Sequence, residues 1–223
     1  MSSSPQLLIF DVNETLLDTK AVTAAINKEI GNSEAAGKWF QSLLHYSLVE
    51  TVTGDFADFS QIADACLEMI AKNYGKDLSA EKREIILSEF KNLSPHSEVF
   101  EGLQRLKNAG FIIVALSNGT LETINDQLKY AGINQLFDRI FSIQSIGKFK
   151  PHPSTYAYVL DKMEISSDKV LMIAAHPWDL MGASRAGLQT AFIKREGKSN
   201  YPLSPKNDFE AENLIQLSSL LIH

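Results

Sequence analysis

Short, wholly apolar runs recur along this chain, each stopping at a polar residue and each followed by a stretch with helical periodicity. Leu7-Leu8-Ile9-Phe10 stops at Asp11, Phe111 to Leu116 stops at Ser117-Asn118-Gly119, and Val170 to Ala175 stops at His176. Arg139-Ile140-Phe141-Ser142 and Thr190-Ala191-Phe192-Ile193 are weaker members of the series. A strand with one wet face alternates apolar and polar side chains, so an unbroken apolar run implies cover on both faces. The intervening patterns predict helices over Glu98 to Ala109, Thr120 to Ala131 and Pro151 to Met163. Gly110 and Gly132 stop the first two, and prolines open the third. Such alternation predicts an open α/β fold built on a parallel sheet with right-handed crossovers.

The alternation breaks between about Asp18 and Asn92. That stretch carries no strand pattern but two helix-period stripes. Phe40, Leu43, Leu44, Ser47 and Leu48 form one; Phe59, Ile62, Ala63, Cys66, Leu67 and Ile70 form the other. Packing between helices explains both. The expected organisation is a core of residues 1–17 and 93–223 with an all-helical cap, 18–92, seated over the carboxyl edge of the sheet. Lys198 to Asn207, polar and holding two prolines, reads as a surface loop before a last helix.

Composition narrows the partners. The 223 residues carry 27 Asp and Glu against 21 Lys and Arg, a net charge of −6, which argues against a nucleic-acid role. Hydrophobic residues make up 44%, enough for a buried core, yet no apolar run is long enough to span a bilayer. The start, Met1 to Gln6, lacks the pattern of a secretory signal, and the single Cys66 fits a reducing compartment. A cytoplasmic protein acting on a small molecule, away from membranes and nucleic acid, is expected.

In open α/β sheets the ligand crevice lies at the strand ends. Here those ends place a carboxylate (Asp11), a hydroxyl and an amide (Ser117, Asn118), an ammonium (Lys150, before Pro151) and a second carboxylate (Asp179). An Asp after one strand is commonly a turn former. Four matched strand ends converging on one place point to chemistry. His45, His96, His152 and His223 show no metal-ligand spacing.

Phe10-Asp11-Val12-Asn13-Glu14-Thr15-Leu16 resembles the first motif of the haloacid dehalogenase superfamily. Leu116-Ser117-Asn118-Gly119 resembles its second, Lys150-Pro151 its third, and Ala174-Ala175-His176-Pro177-Trp178-Asp179 its fourth. The resemblance covers nearly the whole chain. It implies a Rossmann-like core with a helical cap inserted after the first strand, and Asp11 as a nucleophile.

Phosphatases of that superfamily need an acid two residues after the nucleophile and a metal-binding acid four residues before the position of Asp179. Those positions hold Asn13, which has no labile proton, and Ala175, which ligates nothing. A halide departs as a stable anion and requires neither. The resemblance therefore points to the metal-free branch, the type II L-2-haloacid dehalogenases, with no cofactor and no metal. Tyr156, six residues after Lys150, and Trp178-Asp179 before Gly182-Ala183 match that branch.

By analogy, Asp11 attacks the halogen-bearing carbon and forms an ester; Lys150 keeps Asp11 ionised; Asp179 orients the hydrolytic water. Ser117, the N–H of Asn118 and Lys150 hold the substrate carboxylate, with Phe40, Tyr156, His176 and Asn13 around it. His176 is either a ring bonded to backbone or a group that activates water. Family members are often dimers, which implies a homodimer here. Three positions depart from the branch. Phe40, beside Trp39, stands where a halide-cradling arginine is usual. Asn13-Glu14 replace Tyr-Gly in the first motif, and Ala174 and His176 replace a serine and an asparagine in the fourth. Two alternatives remain: a phosphatase of small phosphoesters with a weakened magnesium site, and a non-catalytic member that binds a small carboxylate or a protein.

Overall fold

The structure, a computed structural model, describes residues 4–222; Met1, Ser2, Ser3 and His223 lie outside the described residues. Six parallel strands form one sheet: β1 (Leu7–Phe10), β2 (Ile112–Ser117), β3 (Arg139–Ser142), β4 (Val170–Ala174), β5 (Gln189–Ile193) and β6 (Phe209–Ala211), in the order β3-β2-β1-β4-β5-β6. β1 lies between β2 and β4, with Phe10 level with Ala115 on one side and Ile173 on the other. β1 thus stops two residues before β2 and one before β4, so that Asp11 follows it between the ends of its two neighbours. All four residues of β1 are fully buried, as an apolar run covered on both faces requires.

Between β1 and the helix Val99–Asn108 the chain is helical: α1 (Lys20–Ile30), α2 (Ala35–Thr53), α3 (Phe59–Asn73), α4 (Ala80–Ser88) and a 3-10 turn at Glu89–Asn92. α3 starts sharply because Asp58 and Gln61 form a reciprocal capping box. Its stripe Ile62, Ala63, Cys66, Leu67 and Ile70 is buried. The stripe on α2 is narrower than its sequence implies: Leu43 and Ser47 are buried, but Leu48 is exposed. The indole Nε1 of Trp39 donates to the carbonyl of Ala63 at 2.9 Å, locking α2 to α3.

The core helices are α5 (Val99–Asn108), α6 (Leu121–Tyr130), α7 (Pro153–Met163), α8 (Pro177–Arg185) and α9 (Leu214–Leu221). Thr120 caps α6, its Oγ1 accepting from the N–H of Thr123. The third predicted helix starts at Pro153 rather than Pro151, with His152 as its cap, its Nδ1 accepting from the N–H of Ser154. The tail is also more structured than its polarity implies. β6 pairs with β5, and Lys198, in the supposed surface loop, is half-buried and reaches back to Glu14. Among the described residues no helix is long and apolar enough to cross a membrane.

Candidate active site

Asp11 follows β1 directly and is 5% exposed, so its carboxylate must be satisfied by protein groups. Lys150 Nζ donates to its Oδ1 at 2.8 Å. Thr15 Oγ1 donates to Oδ2 at 2.7 Å, and His176 Nδ1 lies 2.9 Å from the same oxygen. Thr15 is itself fixed, accepting from the N–H of Ala175 at 2.9 Å, which ties the first strand end to the fourth.

The Lys150 ammonium uses its three donors on Asp11, on Asp179 Oδ2 at 2.6 Å and on the carbonyl of Leu116 at 2.9 Å. Tyr156 Oη donates to Asp179 Oδ1 at 2.6 Å. A chain runs from Tyr156 through Asp179 and Lys150 to Asp11, and all four side chains are buried. Burial works against ionising Asp11, but the Lys150 charge, then the hydrogen bond and charge of His176, outweigh it. The carboxyl is held well below the usual range. Burial, aided by the nearby Asp11 charge, pushes Asp179 upward; burial, then the charge and hydrogen bond of Asp179, push Tyr156 well above a free phenol.

His176 occupies the other side of Asp11. Its Nε2 lies 2.8 Å from Glu14 Oε2, and Lys198 Nζ donates to that same oxygen at 2.8 Å. The imidazole stands between the rings of Trp178 and Phe40, with centroids 5.2 and 6.1 Å away. Burial favours the neutral ring, yet hydrogen bonds to Asp11 and Glu14 push His176 up to about 9. It is an imidazolium at neutral pH. Glu14 has φ 61°, a left-handed backbone that disfavours side chains beyond glycine. Its carboxylate is held by one imidazolium and one ammonium, which offsets that strain.

A sequence model of the haloacid dehalogenase-like hydrolase family matches residues 8–193. The chain belongs to that family. It is 30% identical to an (S)-2-haloacid dehalogenase 4A of Burkholderia cepacia, over 92% of this chain and 90% of the relative. It is 28% identical to a haloacetate dehalogenase H-2 of a Moraxella species, over 92% of each. Among solved structures, a dehalogenase with an intermediate complex superposes with TM-score 0.92 at 28% identity, each chain fully covered. An L-2-haloacid dehalogenase from Xanthobacter autotrophicus with covalently bound chloropropionic acid shares the fold at TM-score 0.91 and 21% identity, over 97% of this chain and 98% of that one.

Family sites that bind magnesium do so through carboxylate oxygens, and this donor set does not fit such an ion. Both oxygens of Asp11 and both of Asp179 face protein donors, and Ala175 adds none. Among the described residues no group of three or more His, Cys, Asp and Glu side chains is placed to hold a metal.

The structure brings Asp11, Asn13, Phe40, Ser117, Asn118, Lys150 and His176 around one small cavity of about 30 Å³. Three of the expected residues make contacts that the sequence does not specify. Tyr156, expected beside substrate, is fully buried behind Asp179 and holds that carboxylate instead. Asp179, expected to orient water, is 0% exposed, and both its oxygens are taken by Lys150 and Tyr156. Lys150, expected to grip the substrate carboxylate, has its three donors committed. Ser117 Oγ accepts from the N–H of Gly119 at 3.2 Å, and Asn118 Oδ1 accepts from the N–H of Lys150 at 2.9 Å. Asn13 Oδ1 accepts from Gln127 at 2.9 Å, an anchor for the first motif. The sequence reading assigns no role to Glu14, Thr15 or Lys198. The signal for Glu14 was a carboxylate where the family usually keeps glycine.

Proposed function

We propose that the protein hydrolyses a small 2-haloacid to the 2-hydroxy acid through an ester on Asp11. The observation that carries this reading is the state of Asp11: buried, ionised by Lys150, and lacking both a proton donor at Asn13 and a second metal-ligating carboxylate at Ala175. A carboxylate so held can displace a halide, which needs neither device. Expelling an alkoxide from a phosphate monoester needs both. The names of the relatives agree.

In the first step an Asp11 oxygen forms a bond to C2 of the substrate, and the carbon–halogen bond breaks with its electron pair leaving on the halide. Displacement from the rear inverts C2. Ser117 and the Asn118 backbone N–H donate to the substrate carboxylate, and the Lys150 and His176 charges draw the anion in. Esterification erases the Asp11 charge, one of the two that keep His176 protonated. The ring then releases a proton more easily, and Glu14 steadies the imidazole. Water next to Asp11 is deprotonated by His176 as it attacks the ester carbonyl. The alkoxide takes that proton and leaves as 2-hydroxy acid; the second water proton, left on the Asp11 carboxyl, returns to His176 and restores carboxylate and imidazolium, and the proton the ring first gave up leaves to solvent with the halide. Residues 18–92 act as a cap closing this site over the core of 1–17 and 93–223.

Halide release from (S)-2-chloropropionate tests the reading directly. A single turnover in ¹⁸O-water should leave the label on Asp11 and not in the product. Label in the product alone would mean that water attacks C2 and that Asp11 is no nucleophile.

A further inference from the structure

Six ionisable side chains form a row whose charges alternate. Asp179 Oδ2 accepts from Lys150 at 2.6 Å, Lys150 donates to Asp11 at 2.8 Å, and Asp11 Oδ2 lies 2.9 Å from His176 Nδ1. His176 Nε2 lies 2.8 Å from Glu14 Oε2, and Lys198 Nζ donates to that same oxygen at 2.8 Å. Five of the six stand in the four sequence motifs. Lys198 comes from the polar segment after β5, yet it is half-buried. Because Lys198 and His176 share one oxygen, the ammonium lies within about twice that distance of the ring nitrogen, close enough for their charges to oppose each other. Uncharged groups wall the pair: the Phe40 ring of α2, its centroid 5.6 Å from the ammonium and 6.1 Å from that of the imidazole, and Trp178 of α8. In the cavity beyond Glu14 the other charges are engaged elsewhere. Lys20 faces Asp18 and Glu196, Lys194 faces Glu212, and Arg195 faces Glu98. His96, 3.3 Å from the Glu14 carbonyl, is pushed toward the neutral ring by burial and the Arg195 charge.

We propose that Lys198 is a positioning residue of the second chemical step: its ammonium makes His176 give up a proton once Asp11 is esterified. This rests on the dehalogenase reading and adds a residue to it. In the resting chain three cations face three carboxylates, a balance that favours the imidazolium. Ester formation removes the Asp11 charge, and the row then holds one cation too many. The excess is discharged at the strongest acid of the three, the imidazolium, which starts from about 6.5 where an ammonium starts from about 10.4. The Nδ1 proton leaves to solvent with the halide. The Nε2 proton stays between the ring and Glu14, so the bare nitrogen is the one beside the ester, where water must be deprotonated. Without Lys198 the esterified row is already balanced. The imidazolium then persists, and the attacking water finds no base.

Two measurements test this. In Asp11→Asn, a neutral stand-in for the ester, the His176 ring is titrated by NMR with and without Lys198→Met. Loss of the ammonium should raise the His176 pKa by about one unit, whereas Lys198→Arg should leave it within about 0.3. With Asp11 intact, decay of the (S)-2-chloropropionate adduct is followed by quenched-flow mass spectrometry between about pH 5 and about pH 9. Lys198→Met should need a pH about one unit higher to reach half its maximal rate, which is about tenfold slower hydrolysis below both midpoints. Lys198→Arg should restore the wild-type profile. If Lys198→Met fails to fold, Lys198→Gln carries the same comparison. A uniform loss of rate with an unmoved midpoint, as a merely structural lysine would give, overturns the inference. So does a midpoint that moves down, as it would if Glu14 simply swung away from the ring. Halide release with an unshifted His176 titration rejects the role of Lys198 alone; no halide from the wild type on any 2-haloacid rejects the dehalogenase reading, and with it the step that Lys198 serves.

Discussion

His176 Nε2 lies 2.8 Å from Glu14 Oε2, and the opposite nitrogen of the same ring is 2.9 Å from Asp11 Oδ2. One imidazole thus spans two carboxylates of the first motif, one that reacts and one that does not. The charge it carries depends on whether Asp11 is free or esterified. In the proposed mechanism that dependence couples the two chemical steps: the imidazolium belongs to the resting enzyme, the neutral base to the ester.

Glu14→Gln keeps the shape of the pair and removes its charge. Hydrolysis of the ester should slow by about 10²–10³-fold while alkylation persists. Intact mass spectrometry after mixing with (S)-2-chloropropionate should then show an accumulated adduct. Glu14→Gly should lose hydrolysis equally but should also relieve the left-handed backbone at φ 61°, so its melting temperature should fall less than that of Glu14→Ala. Rapid clearance of the ester in Glu14→Gln would remove the pair from the second step.

The pH dependence of stability follows from the same ring. Folding raises the His176 pKa from 6.5 to about 9, so the native chain binds that proton more tightly than the unfolded one. Its contribution, roughly 3 kcal/mol, is fully present below about pH 6.5 and fades as pH rises through about 9. Against His176→Gln, the wild type should hold its largest advantage in denaturant midpoint near pH 6 and lose most of it by pH 10. An advantage that grows with pH would show that the resting imidazole is neutral.

Lys150→Met leaves Asp11 and Asp179 buried without their shared cation. Removing one partner of a buried ion pair costs about 3–5 kcal/mol, because the remaining charge stays desolvated. Part of that loss should return at low pH, where a carboxyl protonates. Alkylation should fall by more than about 10-fold at neutral pH, since Asp11 loses the cation that orients it and draws in the haloacid anion. Lys150→Arg should not rescue it, because a guanidinium cannot donate to Asp11, Asp179 and the Leu116 carbonyl from one nitrogen. Urea unfolding at pH 5 and 7, with burst measurements of halide release, decides this.

Most of the residues legible in the sequence share one property: they stand where an apolar run stops. Asp11, Ser117, Asn118 and His176 follow central strands whose burial is written as unbroken hydrophobicity, so their convergence follows from topology alone. Lys150 was marked by the proline after it. What escaped has no such local mark. Lys198 meets Glu14 across 184 positions, from a polar segment indistinguishable by composition from a solvated loop. β6 has three residues, one of them Glu210, too short for periodicity to register. The partners of Tyr156 and Asp179 were not legible, because a motif fixes which residue is near the site and not which way its oxygen points.

Gly182 is where α8 meets the segment entering α7. A Cβ there would lie 2.5 Å from Pro151 Cβ and 2.7 Å from Tyr156 Oη, closer than packing allows. Neither obstacle yields freely: Pro151 follows Lys150 directly, and the Tyr156 hydroxyl holds Asp179 through Oδ1. Gly182→Ala should therefore cost about 1–3 kcal/mol by overpacking. It should also displace the Tyr156–Asp179–Lys150 chain. Tyr156→Phe separates these effects, since it deletes the hydroxyl without adding bulk and leaves Asp179 Oδ1 unpaired, at a cost of about 1–3 kcal/mol. If the chain positions Lys150, both variants should lower kcat for alkylation more than they raise KM. The double variant should lose less than the sum of the two, because removing the hydroxyl makes room for the methyl. Strict additivity, in activity and in unfolding free energy, would mean that Gly182 acts through Pro151 alone.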